Sequence, residues 1–155
     1  MAKQYFRKKA LYAKKEVTYG VDPVPTGASA IQTRDLTITP LAGDALSMEL
    51  DKPTLGNDLG TMVGKHVSVT FRVPMAGSGT AGTAPAWGPL MQACGMAEDI
   101  VAVTSVTYSP VDAEGASLTF YMEHDKCLHK FSGSRGSGKI VIDKRNYPWF
   151  EFSFM

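Results

Sequence analysis

The sequence has few of the features that mark exported, membrane-spanning or disulfide-stapled proteins. Only two of its 155 residues are cysteines, Cys94 and Cys127. No apolar run approaches the roughly 20 residues that a membrane-spanning helix needs, and no apolar stretch of a secretory signal follows the basic N-terminus. We therefore expect reduced thiols, no membrane association and one domain large enough to form its own core.

Positive charge is scarce except at the N-terminus. The net charge is only +1, yet residues 1–15 contain no acid and hold six basic residues: Lys3, Arg7, Lys8, Lys9, Lys14 and Lys15. We predict that residues 1–30 are a basic arm followed by a Pro/Gly-rich link, and that residues 31–155 form a single β-rich domain. The arm is either a solvated terminus or a segment that docks on an acidic surface of a neighbouring copy. A nucleic-acid-binding arm has less support, because no other part of the chain resembles a binding face.

Hydrophobic residues alternate with polar ones along much of the chain. Residues 66–73 place Val67, Val69, Phe71 and Val73 on one face, which predicts a half-buried and antiparallel strand. Further strands are predicted at 36–39, 46–50, 103–108, 116–123, 127–131, 139–143 and 148–154. Short strands separated by turn residues at this spacing favour a mainly β, two-sheet sandwich or barrel.

Residues 85–96 have a different periodicity. Trp87, Leu90, Met91 and Cys94 follow the spacing of one helical face. Pro89 suits the first turn of a helix, and Gly95 suits its C-terminal stop. We predict one short helix packed against a sheet.

Two glycine-rich stretches match nucleotide-binding patterns only in outline. Residues 77–82 read G-x-G-x-x-G, but the preceding strand alternates, whereas a dinucleotide fold buries both faces of that strand. Residues 133–139 match the start of a phosphate-binding loop, but Ile140 occupies the position of the magnesium-binding hydroxyl. We interpret the two stretches as a flexible loop and a hairpin loop, and expect no nucleotide cofactor.

Residues that could support catalysis or metal binding are equally sparse. His124, Cys127 and His129 form H-x-x-C-x-H, but no second Cys/His pair completes a zinc site. The chain has only three histidines and no G-x-S-x-G nucleophile motif. We expect no catalytic site, no metal and no cofactor. A small-ligand or carbohydrate-binding β-barrel remains an alternative, with Tyr108, Tyr121, Trp149 and Phe150 as its candidate lining.

Several segments together resemble the tail tube proteins of siphophages, which have long non-contractile tails. The similar segments are residues 11–26, 35–44, 76–90, 93–98, 106–111 and 128–130, followed by Gly133 and Arg135-Gly136. Each segment is weak by itself. They nevertheless follow the family order and cover nearly the whole chain from residue 11.

The resemblance implies a two-sheet β fold with a flanking helix, and hexameric rings stacked into a hollow tube. The chain would then be a structural virion protein of the tail, assembled in the host cytoplasm. Its partners would be other copies of itself and the tape-measure, tail-tip and terminator proteins, while phage DNA passes through the lumen without specific binding. A tail terminator or tail-tip adaptor, which forms a single ring, is the closest alternative.

Residues 51–63 are the first candidate for ring stacking. This segment links two predicted strands and contains more apolar residues than an exposed loop usually does, namely Leu55, Leu59, Met62 and Val63. The basic residues of the arm are the second candidate. If the tube passes DNA, its lumen should be acidic or neutral, because phosphate contacts provide most non-specific affinity for DNA.

Overall fold

The structure is a computed structural model that describes residue 5 and residues 7–51, 53, 55–56, 59–112 and 115–155. Ten strands lie in the described residues, together with a 3₁₀ turn at Gly27–Ser29 and one α-helix, α1, at Gly88–Ala93. The strands are β1 (Lys9–Lys15), β2 (Ala30–Ile31), β3 (Arg34–Leu46), β4 (Thr61–Pro74), β5 (Met96–Val101), β6 (Ser105–Pro110), β7 (Leu118–His124), β8 (Cys127–Ser134), β9 (Gly136–Val141) and β10 (Trp149–Phe154).

The strands form two four-stranded sheets and one separate hairpin. The β7 sheet has the order β2-β1-β7-β8, and the β4 sheet has the order β3-β4-β10-β9. All of these pairings are antiparallel, as is that of β5 with β6. The chain changes sheets at Arg135, whose backbone pairs with that of Met155 between the end of β8 and the start of β9.

The two sheets pack face to face through aromatic rings. Phe71 of β4 meets Phe120 of β7 with ring centroids 6.1 Å apart, and Phe120 lies 4.9 Å from Phe154 of β10. These rings belong to one continuous core of buried side chains from both sheets and the helix. The predicted fold class, a mainly β sandwich with one short helix, is confirmed.

The predicted helix is present but shorter than its apolar pattern. It starts after Trp87, has Pro89 in its first turn, and buries Leu90 and Ala93. The ring of Trp87 lies 4.8 Å from that of Phe150, and its indole N–H donates to the carbonyl of Ala76. The helix is thereby fixed to both the β4 sheet and the loop that follows β4.

The structure differs from the predicted strands in several places, including β1 and β2, which were not predicted. The strand predicted at 46–50 is wrong, because β3 ends at Leu46 and the next residues form no regular structure. Gly43 and Asp44, two residue types that are typical of turns, lie inside β3, where bulges absorb the irregular register. Strand β5 was not predicted, since Met96–Val101 lacks a clear alternation of apolar and polar residues.

Candidate assembly surfaces

The long β3–β4 hairpin carries a group of exposed apolar side chains around its connecting loop. Its strands pair from Arg34 opposite Arg72 to Leu46 opposite Thr61. Between them, residues 47–60 form the connecting loop, of which Lys52, Thr54, Asn57 and Asp58 lie outside the described residues. Near and in this loop, the exposed apolar side chains are Leu46, Met48, Leu50, Leu55 and Leu59. We call residues 46–60 the hairpin tip.

The four predicted inter-ring residues fall into two groups. Leu55 is fully exposed and Leu59 is 88% exposed, and both belong to the hairpin tip. Met62 and Val63 lie instead within β4, opposite Ala45 and Asp44, and Val63 is 43% exposed. The loop therefore ends at residue 60, three residues before the end of the predicted segment 51–63. The apolar character nevertheless continues from the loop into the strand.

The predicted basic arm is partly built into the domain. Leu11 and Ala13 of β1 are buried, and β1 pairs with β7 along all seven of its residues. Residues 9–15 thus belong to the sandwich, which shortens the part of the chain that can act as an arm. This strand was not predicted from the sequence, because lysines on both sides of its short apolar centre interrupt the pattern of a strand.

Most of the predicted arm cations have partners within the same subunit. Lys9 donates to the carbonyl of Leu36 at 3.1 Å, and Lys14 to that of Pro23 at 2.9 Å. Lys15 donates to the amide oxygen of Gln92 at 2.7 Å, and Lys8 approaches Asp125 at 3.9 Å. Arg7 is exposed, and Lys3 lies outside the described residues.

The outer face of the β4 sheet is mostly polar, apart from Trp149 at one end, and its charges include three cations, Arg34, Arg72 and Lys139, and two acids, Asp35 and Glu151. It presents small hydroxyl residues in adjacent positions, namely Thr37, Thr39, Ser68, Thr70, Ser137 and Ser153. Its charges are arranged around Arg72, which lies 3.5 Å from both Asp35 and Glu151. Glu151 is also the cross-strand partner of Lys139. Opposite charges therefore compensate one another across neighbouring strands.

The outer face of the β7 sheet is covered by the chain itself at its centre, whereas Leu128 and Lys130 on the same face are exposed. The Tyr121 hydroxyl donates to Asp22 and accepts a hydrogen bond from Lys130 at 3.2 Å. The hydrogen bond from Tyr121 holds the pKa of Asp22 below its usual value. Tyr121 and Thr119, which point outward from β7, are consequently buried. The two sheets thus differ, since the β4 sheet leaves its outer face bare.

Each sheet in the described residues ends in strands that have one edge without a backbone partner in the same chain. They are β2 and β8 in the β7 sheet, β3 and β9 in the β4 sheet, and both strands of the β5–β6 hairpin. An unpaired edge exposes backbone N–H and C=O groups that can pair with a strand of another chain. The β4 sheet therefore has two edges at which it can be extended into a larger sheet.

A buried carboxylate ties the N-terminal strand to the rest of the sandwich. Glu16, which is 6% exposed, accepts hydrogen bonds from the Ser117 and Thr119 hydroxyls at 2.6 Å each. It also accepts from the backbone N–H groups of Gly20 at 2.8 Å and Gly133 at 2.7 Å. Burial acts to raise the pKa of Glu16, but these four hydrogen bonds together hold the pKa below its usual value. Sequence reasoning missed this group, because its donors are more than 100 residues away except for Gly20.

The two glycine-rich stretches have packing roles in this fold. Strand β9 begins at Gly136, where a Cβ atom would lie 2.5 Å from the Phe154 ring, and Gly138 lies directly under Phe152. The phosphate-loop pattern thus arises from glycines of β9 whose lack of a side chain leaves room for the rings of Phe152 and Phe154. In the other stretch, Gly82 has φ +72, and a Cβ there would lie 2.3 Å from the backbone nitrogen of Val103. Strand β4, which precedes this stretch, is antiparallel to both of its neighbours, unlike the first strand of a dinucleotide fold.

The candidate ligand and metal residues do not converge. Cys127 lies 3.6 Å from His129, but the described residues contain no group of three or more His, Cys, Asp or Glu side chains placed to hold a metal. Phe150 is in the core, whereas Trp149 points from the opposite face of β10. Tyr108 packs on Trp87 at the β5–β6 hairpin and donates to Glu98, whereas Tyr121 lies on the outer face of the β7 sheet. The four candidate lining residues therefore do not form one pocket.

The comparisons with known proteins found no counterpart: no family model, no curated protein and no solved structure matches the chain. No helix in the described part of the chain is long and apolar enough to cross a membrane.

Proposed function

We propose that this chain is the structural subunit of a siphophage tail tube. Six copies would form a ring, and stacked rings would enclose the conduit for genome ejection. The partners would be further copies of the chain and the tape-measure, tail-tip and terminator proteins of the same virion. The proposal combines the resemblance of the sequence segments with the surfaces described above.

The observation that carries the proposal is the apolar hairpin tip. Monomeric soluble proteins rarely expose a contiguous set of large apolar side chains without a binding role. Here, Met48, Leu50, Leu55 and Leu59 occur within a dozen or so residues of a projecting loop, all more than half exposed. Such a loop is suited to bury its side chains against a neighbouring ring.

The two faces of the sandwich suggest how the subunit is oriented in the ring. We assign the bare outer face of the β4 sheet to the lumen, because most of its side chains are small and polar and its two acids, Asp35 and Glu151, lie against its cations. The free edges of β3 and β9 would then pair between neighbouring subunits and close a continuous barrel. Phosphate groups would find few unpaired cations on such a wall, so DNA would slide instead of binding.

A tail terminator or tail-tip adaptor accounts for the same edges, but it forms only one ring. The hairpin tip favours the tube, because a stacking surface is needed at every level of a repeating assembly. The ligand-binding alternative has less support, since its four aromatic residues lie on different surfaces.

Sedimentation velocity across a concentration series tests the proposal. We expect the wild-type chain to form rings and larger species, whereas Leu55→Asp/Leu59→Asp should stop at a ring or a monomer. Both leucines are exposed, so the variant should keep the wild-type circular dichroism spectrum and melting temperature. Val17→Asp, which changes a fully exposed apolar residue outside the hairpin tip, is the matched control. Equal assembly of the wild-type chain and the hairpin variant would contradict the stacking role of the tip.

A further inference from the structure

The β4 sheet has an apolar groove at the end opposite the hairpin tip. The groove encloses about 480 Å³ and is formed by the end of β4, the start of β3 and the segment that enters β10. Its apolar lining consists of Pro74, Met75, Ala76, Tyr147, Pro148 and Trp149, and the Arg34 guanidinium, which also lines the groove, lies 5.3 Å from the centre of the Trp149 ring. Tyr147 is 77% exposed, so a large aromatic surface faces water in the isolated subunit.

The groove and the hairpin tip are joined by a single strand. Strand β4 begins next to the tip at Thr61 and ends in the groove at Pro74. With about 3.3 Å per residue, its fourteen residues separate the two features by about 40 Å. A projection at one end of a subunit and a recess at the other permit a head-to-tail contact. Such a contact leaves both outer ends free, so it can repeat, and it builds an open filament when successive rotations do not close into a ring.

The charges around the two features are complementary. The sequence of the hairpin tip contains three acids, Glu49, Asp51 and Asp58, and one base, Lys52. The exposed segment 142–147, which leads into the groove, carries Lys144 and Arg145 against a single acid, Asp143. Attraction between these groups would orient the tip as it approaches the groove, and the attraction should weaken at high salt.

We propose that the groove at Tyr147 and Trp149 is the receptor for the hairpin tip of a second copy of this chain. In this contact, leucines of the tip cover the Tyr147 ring and the adjoining prolines, while Glu49 and Asp51 approach Lys144 and Arg145. The inference rests on the proposed tube for its biological setting. The contact itself is defined only by the two surfaces and can be tested separately.

Disulfide cross-linking tests the contact directly. In a Cys127→Ser background, Leu50→Cys/Tyr147→Cys should give a ladder of covalent oligomers after mild oxidation, because each subunit provides one half of two contacts. A mixture of the two single variants should give only dimers. The remaining thiol, Cys94, is the control, because the background without new cysteines should give no ladder.

A second variant tests the groove without new cysteines. Tyr147→Asp should reduce tube length at least tenfold while leaving the melting temperature unchanged, whereas Tyr147→Phe should assemble normally. Tubes of normal length from Tyr147→Asp, together with the absence of a ladder, would overturn the inference and leave the tube proposal intact. If the wild-type chain formed no rings or tubes, the tube proposal would fail. If the tube proposal failed in this way, a ladder of disulfide-linked oligomers would still support the contact between tip and groove. The absence of the ladder would then overturn the contact as well.

Discussion

Replacement of Glu16 by glutamine isolates the electrostatic contribution of the buried carboxylate. The amide oxygen of glutamine can still accept one pair of the present donors, but its NH₂ group must face the other pair. A hydroxyl can rotate to accept from this NH₂ group, whereas the backbone N–H of Gly20 or Gly133 cannot. One buried N–H is therefore left without an acceptor, and the remaining hydrogen bonds lose their charge.

The expected cost follows from these hydrogen bonds. A buried donor without a partner costs about 1–3 kcal/mol, and neutral hydrogen bonds are weaker than charged ones. We therefore expect Glu16→Gln to lower the free energy of unfolding by about 2–4 kcal/mol. For a domain of this size, this change corresponds to a fall in melting temperature of roughly 4–16 °C. Glu151→Gln, at an exposed ion pair, is the control and should cost less than about 1 kcal/mol.

The pH dependence of unfolding provides the sharper test. Because the folded protein holds the pKa of Glu16 below its ordinary value of 4.5, the stabilisation is fully present above that value. It is lost as the pH falls through the lower folded pKa. The difference in unfolding free energy between wild type and Glu16→Gln should thus be constant from pH 8 to 5 and shrink below about pH 4.5. Chemical denaturation at each pH measures this difference, and a variant as stable as wild type at pH 7 would refute the reasoning.

Three further predictions follow from the packing, the lumen face and the thiols. Gly136→Ala should lower the free energy of unfolding by about 1–3 kcal/mol, because the added Cβ would meet the Phe154 ring. Gly77→Ala, which adds a Cβ in open space, should change the free energy of unfolding little. Equal costs of the two substitutions in urea denaturation would contradict the packing role of Gly136. Glu151→Lys removes a negative charge next to Arg72 and Lys139, so that the positive charge of these two residues is no longer balanced. Tubes of this variant should retain short duplex DNA at low salt, as measured by co-sedimentation. The absence of retention would contradict the lumen assignment. In the folded protein one thiol, Cys127, should react quickly with a disulfide reagent, because burial raises the pKa of Cys94 to about 11; two equally fast thiols would disprove the placement of Cys94.

The core strands were predictable from sequence because their pattern depends on local chemistry. Phe150, Phe152 and Phe154 alternate with polar residues in β10, and all three are buried as such alternation predicts. The helix was predictable for a similar reason, because its apolar spacing and its proline and glycine boundaries lie within one short segment.

The remaining features depend on contacts between distant segments. Strand β1 has only a short apolar centre between lysines, so its place in the sheet depends on pairing with β7, more than 100 residues away. The donors to Glu16 could not be predicted for the same reason, because three of the four lie more than 100 residues from Glu16 in the sequence. The hairpin leucines were identified from composition, but their exposure became visible only when β3 and β4 were seen to pair as far as Leu46 and Thr61.

The central claim, that the subunits form rings that stack into a tube, is tested most directly by negative-stain electron microscopy of the purified protein over a concentration series. The account predicts hollow tubes that lengthen with concentration, with rings of six subunits in end-on views. Protein that remained monomeric at all concentrations, even after addition of the tail-tip complex, would contradict it.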